Sequence, residues 1–475
     1  MTQSQNSGTL GTTVPLQSSE NNGFDHELSS ASKPLSLPAL SLPLNHAVPG
    51  PIQRCQDLWK SSDFFRKVIE TYSTQISLMA VGLITTVAVT RVLGPEGRGL
   101  YAVAMAIGVL GVQFGNFGLN SSNTFYVAHD QTLLPTLLAN SLLVSTVIGG
   151  VGALAAGLFF YFEPQHAPLH GPLLVLGLAW IPIGLAFLLT ENLLLGLQQV
   201  RVFNKIEFMS KAFSLIFIGM VIFVRRVNPE YVFAANICGL TLSLIWALKA
   251  LWRLLPDVPR PSLKLLRQHF GLGLKAYIIV FCSFLLLRID LLMVKYMLGS
   301  EQTGYYSVAA SMADYILLLP SVIGLILFPR LSAMRDTAEK LRQAKRAAVG
   351  TGLALLPVLA LAVVLAPITI RLLFGKLFLP ASDAFIWLVP GIFALGIETT
   401  IVQFLNSMGY PVIVVWIWLT SVILNIGLNF WAIPTFGIKG ASAMSSISYS
   451  LTLFAVLAVI WKQYRSKPTT AVMAE

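Results

Sequence analysis

The sequence has few charged residues: only 11% of its 475 residues are Asp, Glu, Lys or Arg, whereas 55% are hydrophobic. With a mean hydropathy of +0.73, a chain of this length is too apolar for a soluble globular protein. Lipid is therefore the solvent that fits this composition. The net charge of +11 comes from basic residues in the connections between apolar runs, without a basic patch studded with aromatic residues, so nucleic-acid binding is not indicated.

Cysteine and nucleotide-binding motifs are also scarce. The three cysteines, Cys55, Cys238 and Cys282, are scattered, which excludes a disulfide framework and a cysteine-rich metal site. No Gly-x-x-x-x-Gly-Lys-Ser/Thr loop occurs, since the Gly-Lys pair at 375–376 is followed by Leu. The connections on the non-cytoplasmic side are too short for a catalytic domain. We therefore expect no ATPase, no cofactor, no metal and no enzyme active site.

The two ends of the chain differ in composition from the rest. Residues 1–60 are rich in Ser, Asn, Pro and Gly, and they have neither a basic n-region nor an unbroken apolar h-region. This composition predicts a disordered cytoplasmic tail rather than a signal peptide. Residues 466–475 form a second predicted cytoplasmic tail.

Twelve apolar runs reach the roughly 20 residues that cross a bilayer as a helix. They lie at about 69–92, 99–119, 133–160, 172–197, 203–224, 230–252, 270–297, 304–328, 347–373, 383–406, 411–433 and 440–461. Alternate connections carry nineteen and eight Lys or Arg residues, so the positive-inside rule places both termini in the cytoplasm. The sequence predicts an all-α protein that spans the membrane twelve times.

A short motif occurs twice and divides these spans into two halves. Leu93–Ala104 reads LGPEGRGLYAVA and Leu298–Ala309 reads LGSEQTGYYSVA, at an offset of 299 − 94 = 205 residues. Six spans per half is an even number, so both halves enter the membrane from the same side and form parallel repeats. We expect lobes at 61–255 and 269–465, joined by a cytoplasmic linker at 256–268 that contains an amphipathic interfacial helix.

Ionisable residues within the spans are the first candidates for function, because each costs about 2.5–3.5 kcal/mol at a helix centre. Arg288 and Asp290 lie in the seventh span, and Asp314 lies at nearly the same depth in the antiparallel eighth span. Two residues apart, Arg288 and Asp290 point in different directions and pair poorly. We therefore predict that Arg288 approaches Asp314 across the two helices.

Further polar candidates occur in other spans: Glu191, Lys211, Glu398, Gln113 and Asn116. Glu191 and Glu398 are 398 − 191 = 207 residues apart, close to the repeat offset, so they are candidates for equivalent positions that face a cleft. For every ionisable residue a structural ion pair, or a side chain that reaches the membrane interface, is the alternative to a binding role.

The repeated motifs also carry a resemblance to a known family. The segment 91–102, RVLGPEGRGLYA, resembles the signature between the first two spans of polysaccharide biosynthesis proteins, the Wzx-type lipid-linked oligosaccharide flippases. The segment 288–293, RIDLLM, followed by Leu298-Gly299 and by 304–306, is similar to the signature of the second half of that family. The similarity spans roughly residues 60 to 465 and leaves out the N-terminal tail. Its motifs mark the family and do not identify the sugar.

This resemblance implies a MATE-like, V-shaped bundle of two six-helix lobes, within the multidrug/oligosaccharidyl-lipid/polysaccharide exporter superfamily. It implies that a polyprenyl-pyrophosphate-linked oligosaccharide is turned from the cytoplasmic to the outer leaflet of the inner membrane through a cationic, hydrated cleft. The implied partners are that substrate, membrane lipids, a coupling H⁺ or Na⁺ and the polysaccharide polymerase machinery.

Burial suggests which residues would serve this role. The candidates to meet the substrate are Arg288, Lys211, Asn116 and Gln113. The candidates for the coupling ion or for ion pairs are carboxylates: Asp290, Asp314, Glu191 and Glu398. The sequence leaves three alternatives open: a cation-coupled multidrug exporter, a membrane-embedded polysaccharide polymerase or ligase, and a scaffold that does not transport.

Overall fold

The computed structural model describes residues 51–272 and 274–464, and side chains at 77–268, 274 and 276–462. Within these residues every regular element is a helix, which confirms the predicted all-α class. Of the predicted tails, residues 1–50 and 466–475 lie outside the described residues. Residues 1–66 and 67–475 form separate compact units; in the first, only the helix from Pro51 onward is described, and the contacts given below all belong to the second.

Seven helices make up the first half of the described chain. They are α1 (Pro51–Asn116), α2 (Leu119–His129), α3 (Leu134–Val144), α4 (Gly152–Phe162), α5 (Pro172–Gly196), α6 (Val200–Phe223) and α7 (Pro229–Trp252). A π-helical turn at Ser145–Val151 joins α3 to α4 without a break. The predicted single run at 133–160 is therefore a helix with a local π turn.

The second half follows the short helix α8 (Leu263–Leu272), at the position of the predicted interfacial helix. Its five helices are α9 (Leu274–Leu298), α10 (Ser300–Ala333), α11 (Thr337–Leu373), α12 (Pro380–Asn406) and α13 (Val412–Tyr464). The 34 residues of α10 and 37 residues of α11 exceed the roughly 20 that a bilayer requires. The charged connection between them is helical on both sides of a short turn.

Proline and aspartate begin several of these helices. Pro172, Pro229 and Pro380 occupy the first turns of α5, α7 and α12, where a missing N–H costs no helical hydrogen bond. Asp336 precedes α11 and its carboxylate accepts a hydrogen bond from the backbone N–H of Ala338 at 2.9 Å, an N-cap contact. The chain thus carries local start signals where the helices begin.

Ten helical segments within the described residues are long and apolar enough to cross a membrane. Two of them contain a glycine whose backbone is not helical: Gly94 with φ 66° in α1 and Gly437 with φ 63° in α13. Side chains on either side of Gly437 meet, since Thr452 donates a hydrogen bond to Ser421 at 2.7 Å. The chain therefore reverses at Gly437, and glycine suits the positive φ that this reversal requires.

The chain also reverses at Gly94. Thr86, before this glycine, lies 3.3 Å from the hydroxyl of Tyr315, and Arg98, after it, donates to Ser311 at 3.3 Å. Residues twelve positions apart on α1 therefore touch α10 within about one helical turn. A straight helix would separate them by about 18 Å at 1.5 Å per residue.

Packing divides the helices that follow α1 into two groups. Helices α2 to α7 pack among themselves, chiefly α6 on α7, α5 on α7 and α2 on α5. Helices α9 to α13 form the second group, in which α12 packs on α10, α11 and α13. Leu193 and Ile206 are buried in a cluster within the first group. A larger buried cluster spans both groups, with Phe233 from the first and Phe385 and Phe404 from the second.

The two copies of the repeated motif meet at one end of the bundle, which we call the Gly94 end. A Cβ added to Gly99 would lie 2.8 Å from the carbonyl carbon of Ser300, and a Cβ added to Gly304 would lie 2.7 Å from the carbonyl carbon of Pro95. Since Gly99 corresponds to Gly304 and Pro95 to Ser300, the two contacts are equivalent. We call these four residues the glycine contact; it is the reciprocal arrangement that a twofold axis between two repeats produces.

Candidate functional site

A cavity of about 640 Å³ lies between the two groups of helices. Its walls come from α1, α5, α6 and α7 on one side and from α9 and α10 on the other. Because successive helices run in opposite directions, Arg98 and Ser307 lie at its Gly94 end, and Glu191 and Glu207 lie toward the opposite end. Gly99 of the glycine contact directly follows Arg98, so the cavity stops where the two halves touch at backbone level.

Hydroxyl and amide groups line this cavity. One chain of them runs through the first half: Ser214 donates to the side-chain oxygen of Asn236 at 2.8 Å, and Asn236 donates to the hydroxyl of Tyr101 at 2.8 Å. Thr86 and Tyr315 add a hydroxyl pair between α1 and α10. Such groups can exchange hydrogen bonds with a polar ligand or with water.

Arg98 is a buried cation at the Gly94 end of the cavity, with a relative exposure of 7%. Its Nε donates to Ser307 at 3.2 Å and its Nη2 donates to Ser311 at 3.3 Å, and its guanidinium carbon lies 5.7 Å from the centre of the Tyr101 ring. No carboxylate within 4 Å pairs with it in the described part of the chain. A buried charge of this kind is costly without a counter-ion.

Arg288 and Asp314 also line the cavity, and they pair as predicted. The Nη2 of Arg288 lies 2.8 Å from the Oδ2 of Asp314, so the prediction that these side chains approach each other across two helices is confirmed. The guanidinium also lies 5.8 Å from the centre of the Phe284 ring. The positive charge of Arg288 is therefore already offset by a carboxylate.

Lys211, Glu191 and Glu207 form a third charged group on α5 and α6. All three line the cavity, although among the described residues no ion pair within 4 Å joins Lys211 to either carboxylate. Glu207 lies within the predicted run 203–224 but was not among the residues predicted for the site. Lys211 lies four residues after Glu207, the spacing that brings two side chains to one helix face, and this spacing could have identified it.

The lining charges are balanced, which corrects the expectation of a cationic cleft. Three basic residues, Arg98, Lys211 and Arg288, face three acidic ones, Glu191, Glu207 and Asp314. The excess of Lys and Arg in the sequence lies mainly in the connections, where it bears on membrane orientation. The lining charges are nonetheless unevenly distributed along the cavity. Of the six charged residues only Arg98 lies at the Gly94 end, far from Glu191 and Glu207.

Four predicted residues do not line this cavity. The backbone oxygen of Gln113 accepts a hydrogen bond from the hydroxyl of Tyr277, on α9, at 3.1 Å. The side chain of Asn116 donates to that of Asn120 at 3.1 Å. Glu398 is 1% exposed within the second group of helices, and its Oε1 has no hydrogen-bond partner. The expectation that Glu191 and Glu398 both face the cleft is therefore wrong for Glu398.

Asp290, the fourth, lies within the second group of helices at 2% exposure. Its carboxylate accepts hydrogen bonds from Tyr306, from Ser445 at 2.9 Å and from the backbone N–H of Leu291 at 2.8 Å. Ser445 in turn accepts from Asn425 at 3.4 Å. Asp290 is thus part of a buried polar network between α9, α10 and α13.

This network continues along α13 and contains unsatisfied oxygens. Asn429 donates to Asn425 at 3.1 Å, and Asn425 also lies 3.4 Å from Ser448. The side-chain oxygens of Asn429 and Ser442 have no hydrogen-bond partner, and both residues are fully buried. Buried polar atoms without a partner are uncommon.

Within the described residues no group of three or more His, Cys, Asp or Glu side chains is arranged to hold a metal.

The chain is similar to known proteins in sequence and in structure. A model of the family described as polysaccharide biosynthesis protein matches residues 88–383, more than half of the chain. A protein of Haloferax volcanii named as the flippase AglR is 28% identical over 36% of this chain and 37% of its own. A protein of Shigella flexneri named as an O-antigen transporter is 21% identical over 79% of this chain and 91% of its own.

Two groups of solved structures share the fold. An inward-facing multidrug resistance MATE family transporter superposes with a TM-score of 0.64 at 15% identity, over 82% of this chain and 94% of its own. The lipid II flippase MurJ in an inward closed conformation superposes with a TM-score of 0.59 at 17% identity, over 83% and 87%. At such identities the likeness concerns the fold: a multi-pass helical membrane bundle.

Proposed function

The chain belongs to the polysaccharide biosynthesis protein family, and on that premise we propose that it flips a polyprenyl-pyrophosphate-linked oligosaccharide from the cytoplasmic to the outer leaflet by alternating access. The observation that carries the proposal is the cavity between the two groups of helices, walled by hydroxyls and amides and closed at one end by the glycine contact. Similar proteins named as a flippase and an O-antigen transporter support it.

The proposed topology divides the ten long helical segments at Gly94 and Gly437, which gives 10 + 2 = 12 spans. Six spans then fall in each lobe, at 61–255 and 269–465, with the linker 256–268 between them. The distribution of Lys and Arg orients the protein in the inner membrane with both termini in the cytoplasm. The Gly94 end then faces outward, and the cavity is closed on that side.

The proposed substrate matches the cavity group by group. The two phosphates require positive charge, and Arg98 can provide it because it is bonded to serines and not to a carboxylate. Arg288 and Lys211 can bind the phosphates once their acidic neighbours are displaced or neutralised. The sugars require hydrogen bonds, for which the threonine, serine, tyrosine and asparagine side chains are suited. The lipid tail stays in the bilayer between the lobes.

The experiment that tests the function is deletion of the gene. We expect loss of surface polysaccharide and accumulation of lipid-linked repeat units on the cytoplasmic leaflet, measured by glycan analysis and by extraction of the lipid fraction. Normal surface polysaccharide together with altered tolerance to lipophilic cations would contradict flipping and would favour a multidrug exporter. Accumulation of unpolymerised units on the outer leaflet would instead indicate a polymerase or ligase.

Coupling of transport to H⁺ or Na⁺ is proposed to occur at Asp290. Its network places one carboxylate, a serine hydroxyl and a tyrosine hydroxyl together inside the second lobe, and oxygen ligands are those that hard cations prefer. The unpartnered oxygens of Asn429 and Ser442 fit an ion-binding role. Because α9 and α10 carry both this network and Arg288 with Asp314, ion binding there can influence the cavity.

We expect Asp290→Asn to reduce gradient-driven transport by roughly tenfold or more, since it removes the charge that holds the ion while preserving the shape of the side chain. The measurement is translocation of a fluorescent polyprenyl pyrophosphate in proteoliposomes with and without a pH or Na⁺ gradient. Asp383→Asn is the matched control, because Asp383 pairs with Lys439 at 2.8 Å outside the cavity. Unchanged gradient dependence in Asp290→Asn would remove Asp290 from coupling.

A further inference from the structure

Arg98 connects the two halves of the protein beside the glycine contact. It belongs to α1, whereas its two acceptors, Ser307 and Ser311, belong to α10. Arg98 directly precedes Gly99, and Ser307 follows Gly304 by three residues. A movement that separated the glycine contact would therefore also break both hydrogen bonds of Arg98.

The two serines are oriented as acceptors. The hydroxyl of Ser307 donates to the backbone oxygen of Gly304 at 2.8 Å, and that of Ser311 donates to the backbone oxygen of Ser307 at 2.8 Å. Since each hydroxyl has a single proton, its lone pairs remain for the guanidinium of Arg98. At the closed Gly94 end, the guanidinium of Arg98 on one half thus donates to the neutral hydroxyl oxygens of Ser307 and Ser311 on the other half.

These hydrogen bonds are weak compared with what an anion would offer. Their lengths of 3.2 and 3.3 Å are at the long end for N–H···O bonds. Arginine binds phosphate through shorter, often bidentate bonds in which donor and acceptor both carry charge, whereas the serine hydroxyls are neutral. A diphosphate that reached this end of the cavity would therefore compete successfully with the serines for the guanidinium.

We propose that Arg98 is a latch on the outward end of the cavity, which the diphosphate of the substrate releases. In the absence of substrate, Arg98 binds Ser307 and Ser311 and holds the glycine contact closed. When the diphosphate takes the guanidinium, the hydrogen bonds between the halves are lost and the outward end opens with substrate bound. This inference rests on the proposed function, because it requires a diphosphate ligand in the cavity.

The test measures opening from outside, with a membrane-impermeant thiol reagent on intact cells. Ala310 lines the cavity between the two serines, so Ala310→Cys is the reporter, in a background in which Cys55, Cys238 and Cys282 are replaced by serine or alanine. We expect the combined Ser307→Ala and Ser311→Ala change to accelerate labelling of this cysteine by roughly tenfold, since two hydrogen bonds that favour closure are removed.

The matched control is the combined Ser321→Ala and Ser332→Ala change. Both serines lie on α10. Among the described residues, both hydroxyls bond only to their own helix, at 2.8 Å to the backbone oxygen of Leu317 and at 2.9 Å to that of Phe328. This control should label at the rate of the parent. Equal labelling of the Ser307/Ser311 variant and the control, with both proteins inserted in the membrane, would overturn the latch.

Purified protein in liposomes separates the latch from the proposed function. Polyprenyl pyrophosphate should accelerate labelling in the parent but not further in the Ser307/Ser311 variant, and uncharged polyprenol should have no effect on either. Absence of polyprenyl pyrophosphate binding to the parent would contradict the proposed function. Binding that leaves the labelling rate of the parent unchanged would contradict the latch alone.

Discussion

Replacing Gly304 by alanine should reduce export at least tenfold while the protein still inserts in the membrane. The added Cβ would lie 2.7 Å from the carbonyl carbon of Pro95, and because the obstacle is backbone, no side-chain rotation relieves the clash. Overpacking of this kind costs about 1–3 kcal/mol, and each 1.4 kcal/mol shifts the balance between closed and open outward ends roughly tenfold. Export is measured as surface polysaccharide in a strain that carries only the variant.

The reciprocal geometry provides a second variant and a control. Gly99→Ala should behave like Gly304→Ala, since its Cβ would meet Ser300 in the equivalent way. Gly219→Ala, where an added Cβ has no neighbour within 4 Å, should export normally, because alanine favours a helix more than glycine does. Normal export by both Gly99→Ala and Gly304→Ala would show that close apposition of the two motifs is not needed.

Much of the fold follows from the sequence because apolar length is a strong signal in a membrane protein. The predicted run 172–197 corresponds to Pro172–Gly196, and 383–406 to Pro380–Asn406. The reversals at Gly94 and Gly437 also agree with the predicted boundaries between spans. At each of these positions the apolar run is interrupted by a glycine, the residue that suits the positive φ of the reversal.

The helix α2, by contrast, has no counterpart in the predicted spans. Its sequence is polar, and its stability comes from contacts that are distant in sequence: Asn123 donates to Ser141 at 2.8 Å, and Thr124 donates to the backbone oxygen of Asn192 at 3.0 Å. Hydropathy does not register a helix that is held by polar tertiary contacts. The same limit applies to the π turn at Ser145–Val151, which brings Gly149 against Pro182.

Contacts within the site could be predicted where the turn between two neighbouring spans shows which residues lie at the same depth in the membrane. Arg288 and Asp314 could be paired because the turn at Gly299 fixes the register of α9 against α10. Arg98 was not among the residues predicted for the site, whereas the structure buries it at the contact between the halves. The signal that could have suggested it is the repeat itself, since two copies of a motif that lie on a twofold axis contact each other there.

The direction in which a side chain faces was the weakest part of the sequence reasoning. Glu191 and Glu398 occupy similar positions in the two halves, but Glu191 lines the cavity and Glu398 is enclosed by its own half. In helices that are apolar on almost every face, periodicity does not distinguish the side toward lipid from the side toward the cavity. Only packing between helices determines this.

The pair formed by Arg288 and Asp314 allows a binding role to be separated from a structural one. We expect Arg288→Ala to abolish export and leave membrane insertion intact, because a cation that can meet the diphosphate is removed. Asp314→Asn should instead bind polyprenyl pyrophosphate at least as tightly as the parent, since Arg288 then loses its competing carboxylate at 2.8 Å. Binding is measured by titration in detergent or nanodiscs, and insertion by the amount of protein in the membrane.

Opposite effects of the two substitutions on binding distinguish this role from simple structural support, in which both would lower thermal stability alike and leave affinity unchanged. Lys439 and Asp383 supply the matched comparison, as an ion pair of the same 2.8 Å length that is half exposed and outside the cavity. Exposed pairs contribute little to stability, so Lys439→Ala and Asp383→Asn should leave export and binding unchanged. Full export by Arg288→Ala would remove Arg288 from the transport mechanism and leave Arg98 as the residue to which the diphosphate binds.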